Sequence, residues 1–111
     1  MATMADAPRL YAAEYQRYHA SRPGFHVNEI RLLPAQSIPW HFHSKVQDTF
    51  FVIEGCLHIF LREPEEEVSL GQGETCTVVA RRPHRVVNGG RDHATFPVLQ
   101  GFGEYDFIPL T

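Results

Sequence analysis

His41, His43, Asp48 and His84 are the residues of this chain whose types and spacing best suit chemistry. His41 and His43 stand two apart in Pro39-Trp40-His41-Phe42-His43. Alternate side chains of a strand leave the same face, so both rings point one way. Ser44 to Gln47 separate His43 from Asp48, which opens the apolar run Thr49 to Ile53, and His84 arrives later, directly after Pro83. Neutral imidazoles and a carboxylate are ligands for divalent transition metals, with iron, manganese, nickel, zinc and copper all open. If all four bind, a divalent ion keeps a net charge of about +1, because one carboxylate offsets half of it. Such a centre would attract an anionic substrate or acidify a bound water.

The elements that must position these residues read as strands and turns. Strand patterns run over Phe25–Leu33, Ser37–His43, Asp48–Glu54, Leu57–Arg62, Glu67–Leu70, Thr75–Val79, Arg85–Asn88 and Thr95–Phe102. Their spacing suits an all-β sandwich or barrel. Turn chemistry marks the breaks at Glu54-Gly55, Glu63-Pro64-Glu65, Gly71-Gln72-Gly73 and Asn88-Gly89-Gly90. Residues 1–7 have the composition of a disordered start. From Pro8 to Ala20, Tyr11, Tyr15 and Tyr18 recur at i, i+4 and i+7, which fits a short helix; an extended arm laid over the barrel is the alternative. The division expected is an arm over 1–24 and a β-barrel domain over 25–111 that includes the C-terminal tail. An antiparallel jelly roll follows from this pattern.

Composition excludes several classes. A chain of 111 residues reads as one domain. Its 43% apolar share is that of a globular protein. A net charge of −3 and a pI near 6.1 leave no electrostatic footprint for nucleic acid. No apolar stretch is long enough to span a bilayer, so no membrane partner is expected. The opening residues lack the charged and apolar regions of a secretory signal, so a cytoplasmic location and reduced, packed Cys56 and Cys76 are expected.

The spacing of the site residues resembles the cupin superfamily. Its first motif is Gly, five residues, His-x-His, three or four residues, Glu, six residues, Gly. Here Ala35 stands at the first glycine, His41 and His43 at the histidines, Asp48 at the glutamate and Gly55 at the last glycine. Its second motif is Gly, five residues, Pro-x-Gly, two residues, His, three residues, Asn. Gly73, His84 and Asn88 hold that register, while Val79 and Arg81 replace the proline and the second glycine. The resemblance implies a double-stranded β-helix with a metal bound by His41, His43, His84 and the Asp48 position. Asp48 is one methylene shorter than the family glutamate. It can ligate directly, bind through a water, or hydrogen-bond a ligand histidine instead. Gln47 is one residue out of phase and should face the other way.

Other residues surround this set. Phe50, Val52 and Glu54 share a face with Asp48 by alternation, and Phe50 and Val52 would wall a small-molecule pocket. Arg81, Arg82 and Arg85 are candidates to hold a substrate carboxylate or phosphate, Arg81 above all. Glu54, Gln100 and Tyr105 are the candidate general acids and bases, with Gln100 also a candidate pocket residue. His58 reads as a surface or interface histidine and His26 as a structural one; His19 and His93 carry no signal. Phe51 and Ile53 point away from the Asp48 face, and Trp40 and Phe42 away from the His41/His43 face. A sheet apolar on both sides must be covered on both. The N-terminal segment, the apolar tail from Tyr105 to Leu110, or a second subunit can supply the cover, and the resemblance implies a homodimer. The function expected is a metal-dependent enzyme, dioxygenase-like by the resemblance, acting on a small and anionic organic molecule. A non-redox isomerase, cyclase or decarboxylase, or a non-catalytic small-molecule binding module, are its rivals.

Overall fold

The computed structural model describes residues 11–110. Ten strands form in chain order: β1 (Tyr15–Arg22), β2 (Phe25–Leu32), β3 (Ser37–Phe42), β4 (Gln47–Phe51), β5 (Leu57–Leu61), β6 (Glu66–Leu70), β7 (Thr75–Val78), β8 (His84–Asn88), β9 (Ala94–Gly101) and β10 (Ile108–Pro109). They make two five-stranded sheets, ordered β1-β2-β9-β4-β7 and β10-β3-β8-β5-β6, with every pairing antiparallel. This is the double-stranded β-helix anticipated above. The eight expected strands all form, most within a residue or two of their expected ends. No helix among the described residues is long and apolar enough to cross a membrane.

Strict alternation builds the space between the sheets. In β2, every second side chain from His26 to Leu32 is buried, and β5 and β8 bury their alternate positions in the same way. Ile30, Leu32, Phe50, Ile59, Val86 and Phe96 meet there in one apolar cluster. A one-residue slip of any of these strands would turn this set out to solvent, so the pattern fixes the register.

Three expectations change. The Tyr-rich segment is not helical where it is described. Tyr15 to Arg22 is the edge strand β1, paired with β2, and the turn at Pro23-Gly24 joins the two. Three tyrosines in eight residues favour a pleated surface as readily as a helix, and the free edge of β2 decides between them. The start expected to be disordered, residues 1–7, and the beginning of that segment, residues 8–10, lie outside the described residues. Second, the strand expected over Asp48–Glu54 ends at Phe51. The chain then leaves β7 and crosses to the other sheet, with Ile53 and Glu54 donating their N–H groups to Thr95 O. Gly55 makes the crossing: its φ is +77°, and a Cβ there would lie 2.6 Å from His93 O. Third, Ile108–Pro109 adds a tenth strand at the edge of β3, opposite Phe42 and His41.

The outer faces are covered unevenly. Ile108 pairs with Phe42, and the Arg62 guanidinium lies 3.9 Å from the centre of the Trp40 ring. Phe51 and Ile53 stay 37% and 45% exposed, so among the described residues neither terminal segment covers them. Cys56, just before β5, and Cys76, in β7, are unpaired thiols.

Phe96 is fully buried and packs 6.1 Å from Phe50 between the sheets. Phe96→Ala should lower stability by about 3–5 kcal/mol, because the lost contacts leave a cavity the two sheets cannot close. Chemical denaturation followed by fluorescence measures this; a loss under about 1 kcal/mol would show that the barrel core is plastic at this level.

Candidate metal centre

The two sheets bring the four site residues to one point. On one sheet, His41 of β3 and His84 of β8 are cross-strand partners, and His43 follows the end of β3. On the other, β4 supplies Asp48. All four are buried, and one ligand atom of each lies within 4.8 Å of the others. The two histidine motifs are therefore neighbours through the β3–β8 ladder, although more than forty positions separate them in sequence.

Backbone carbonyls set the tautomers. His41 Nδ1 donates to Pro39 O at 2.7 Å, His43 Nδ1 to Asp106 O at 2.5 Å and His84 Nδ1 to Arg82 O at 2.9 Å. A ring nitrogen that donates its proton outward leaves the other nitrogen to face the centre. Nε2 of His43 and Nε2 of His84 both point at Asp48 Oδ2, at 3.0 and 3.2 Å. Two imidazole nitrogens gathered on one carboxylate oxygen need a cation among them. A proton or a metal ion can serve. Separations of this size also match the edge of an octahedron with arms of about 2.1 Å, roughly 3.0 Å. The donor set and its spacing fit a divalent transition metal.

The electrostatics follow from burial and from this contact. Burial, then the neighbouring His84 and His43, push the His41 imidazole down to about 3, so it stays neutral. Burial also acts against charge on His43, but the facing Asp48 carboxylate outweighs it and raises that imidazole. Burial would raise the Asp48 carboxyl; His43 and His84 prevail and hold it well below the usual carboxylate range. Asp48 is therefore an anion, and one methylene of lost length does not take it out of reach of the histidines.

A small cavity adjoins the cluster, with about 20 Å³ open to the centres of water molecules. That is little more than one water needs. Ile30, Ile38, Phe50 and Val98 give it apolar walls, and Asn28, Gln100 and Tyr105 give it polar ones. The C-terminal segment forms part of its wall through Tyr105 and Phe107. Phe107 stacks on His41 at 4.2 Å, with Tyr11 stacked behind it at 6.2 Å. Asp106 bolts the segment down: its carboxylate accepts from the Ser44 N–H at 2.8 Å and from the Ser44 hydroxyl. Burial and then Asp48 raise the Tyr105 phenol far above its usual range, so its O–H remains a donor.

Of the other expected residues, Phe50 lines the cavity and its ring lies 6.2 Å from His84. Gln100 also lines it, but its amide is engaged: Nε2 donates to Asp48 Oδ1 at 2.9 Å. Tyr105 is present as expected. Val52 is buried in the apolar core rather than at the cavity wall, one pleat further along than Phe50. Glu54 is not on the Asp48 face. It lies past the end of β4, where the chain crosses between sheets, and meets Arg31 and His93 at the surface. Gln47 faces outward, as its phase requires.

The arginines do not reach the site. Arg81 takes a left-handed φ of 72° at the family glycine position, donates its N–H to His43 O at 2.7 Å, and leaves its side chain exposed. Its backbone, not its guanidinium, serves the centre. Arg82 holds Glu66 and the carbonyls of Arg62 and Pro64, and Arg85 sits 5.9 Å from the Phe60 ring. Among the described residues, no arginine or lysine lines the cavity. His58 stacks on Phe60 at 4.5 Å, outside the site. His26 is buried edge-on to Tyr105. Asn28, Asp106 and Phe107 were not apparent from the sequence. For Asn28 the signal was available: a polar residue at an inward position of an otherwise apolar strand face.

Comparison with known proteins agrees with this architecture. Residues 28–101 match the model of the cupin domain family. No curated protein matches the chain. Among solved structures, an uncharacterized conserved protein with a double-stranded β-helix domain from Klebsiella pneumoniae superposes with a TM-score of 0.77 at 20% identity, over 90% of this chain and 87% of that one. An oxalate oxidase superposes at 0.71 and 17% identity, over 78% of this chain and 46% of its own. An oxalate decarboxylase variant from Bacillus subtilis gives 0.71 and 16%, over 78% and 24%. The chain thus spans less than half of the oxidase and about a quarter of the decarboxylase, and at these identities the likeness is one of fold. With about two thirds of its length matched to the family model, both histidine motifs in register and the barrel they require in place, the chain belongs to the cupin family.

Proposed function

We propose that this cupin is a metal-dependent enzyme acting on a small organic anion, with dioxygenase chemistry as its reaction type. The observation that supports it is the convergence of three imidazoles and one carboxylate on a buried point beside a cavity. His41, His43 and His84 would hold a divalent ion through Nε2, and Asp48 through Oδ2. When bound, such an ion supplies Lewis acidity or, if redox-active, dioxygen chemistry. One carboxylate among three neutral ligands leaves about one positive charge, which selects an anion where no arginine does. Tyr105 would donate its O–H to that anion, and Phe50, Ile30 and Val98 would keep bulk water away. The oxalate enzymes among the structural neighbours suggest the first substrates to try, since a two-carbon dicarboxylate has the charge and the small size that this cavity favours.

One observation favours a second reading, a non-catalytic small-molecule binding module. The cavity is tight, with about 20 Å³ open to the centres of water molecules, and Tyr11, Tyr105 and Phe107 form part of its wall, so there is room for a small ligand but little for a reacting complex. We also propose a homodimer contact at Phe51 or Ile53, whose exposure leaves an apolar surface that no described residue covers. Sedimentation velocity at micromolar concentration should give a dimer, and Phe51→Lys should give a monomer; a monomeric native chain would reject the contact.

Metal analysis of the purified protein should find one divalent transition-metal ion per chain. His43→Ala and His84→Ala should lose it, and Gln47→Ala should keep it. Equal loss in Gln47→Ala would reject the carboxylate assignment.

Protein loaded in turn with iron, manganese, nickel, zinc or copper should then be given small mono- and dicarboxylates, with oxygen uptake and product formation followed together. Oxygen uptake coupled to loss of the acid supports the dioxygenase. Product without oxygen uptake assigns the protein to the non-redox isomerases, cyclases or decarboxylases. Binding without product assigns it to the binding modules.

A further inference from the structure

We infer that Gln100 is the positioning residue that turns the short Asp48 side chain into a one-oxygen metal ligand. The inference rests on the metal reading and deepens it. Asp48 and Gln100 are direct cross-strand partners on β4 and β9, and their side chains leave the same face of the sheet. Both are buried. The Gln100 amide donates to Oδ1 at 2.9 Å, while Oδ2 alone meets Nε2 of His43 and of His84. The two carboxylate oxygens therefore have separate tasks: one is anchored to the sheet, the other is offered to the centre.

Gln100 is the donor found for Oδ1 among the described residues. Without it, Oδ1 would be a buried charged acceptor with no partner, a costly state. The carboxylate would escape that state by rotating until both oxygens faced the histidines. A longer glutamate has the reach to meet the centre on its own; an aspartate at this position needs its angle fixed. Gln100 cannot act as a general acid or base, because an amide does not titrate in the working range; one of its two N–H donors is held by Asp48. Its own place is set from both sides, since it lies on the central strand between β2 and β4, opposite His26 and Asp48.

The test is a double-variant cycle read with Co(II) on the full chain. Affinity is taken from chelator competition and coordination from the visible ligand-field bands. Gln100→Met keeps the volume and removes the donor. It should weaken Co(II) binding by about 10- to 100-fold and shift the bands. In an Asp48→Glu background, whose carboxylate reaches unaided, Gln100→Met should cost less than about threefold. Gln100→Asn retains an amide one methylene short of Oδ1 and should reproduce the Gln100→Met loss, which keeps the test alive if Gln100→Met does not fold. Unchanged affinity and bands on removing the Gln100 donor would overturn the inference while leaving the metal reading intact. The same loss in both backgrounds would show a merely structural role and overturn it too. Failure of Asp48→Glu to bind Co(II) would show that the pocket is shaped for the short side chain rather than corrected by Gln100, again overturning it. If the native chain itself binds no Co(II), the metal reading fails, and the inference with it.

Discussion

The Asp48 carboxylate is a charge held almost completely out of water, and the rest of the site answers to it. A buried ion costs several kcal/mol unless its partners return that energy. Here the partners come from β8, from β9 and from the residue just past the end of β3. The Gln100 amide takes one oxygen, and two imidazole nitrogens take the other. The histidines accept this task only because their outer nitrogens are already satisfied by carbonyls of the chain. A cation at the middle is the natural completion of such a set. The fold's part is to keep the two sheets at the separation that lets β3, β4, β8 and β9 reach one point.

The β-helix achieves this with little sequence. The ladder between β3 and β8 sets His41 against His84, and the ladder between β4 and β9 sets Asp48 against Gln100. Each pair is local in space and remote in the chain. Below them the apolar cluster of Leu32, Ile59, Val86 and Phe96 holds the sheets together. The polar cluster occupies one end of the interior and the apolar core the other. That separation is what allows a buried carboxylate in a chain of only 111 residues.

How much of this was legible in the sequence depends on range. Strand positions could be read because alternation is a two-residue signal, and β2, β5 and β8 display it without interruption. The four metal-type residues could be read because a strand face and a family spacing agree on them. Glu54 could not be placed, since alternation holds only while the strand lasts, and β4 ends three residues earlier. Arg81 stood in the right loop, but a left-handed backbone turns its side chain outward, and residue type alone does not report φ. Gln100 was seen as a polar pocket residue; its pairing with Asp48 depends on the β4–β9 register, which no local pattern encodes. β1 was hidden because three tyrosines at helical spacing also fit a pleated edge.

The C-terminal segment shows how size and orientation of the site are tied to one device. Sequence marked the tail as too apolar to hang free, but not where it would lie. It lies over the mouth of the barrel, held by the Asp106 carboxylate on Ser44 and by β10 along β3. The same segment gives His43 its carbonyl partner and His41 its stacked ring, from Asp106 and Phe107. Two of the three imidazoles are thus oriented by the element that also limits the cavity. Any motion that admits a larger molecule must loosen the contact that orients His43. A ligand small enough to fit beneath Phe107 meets an ordered centre, while a larger one meets a disturbed one. Under the proposed function, selectivity for small ligands would then follow from the geometry of this segment rather than from a charged residue, since no described arginine or lysine lines the cavity.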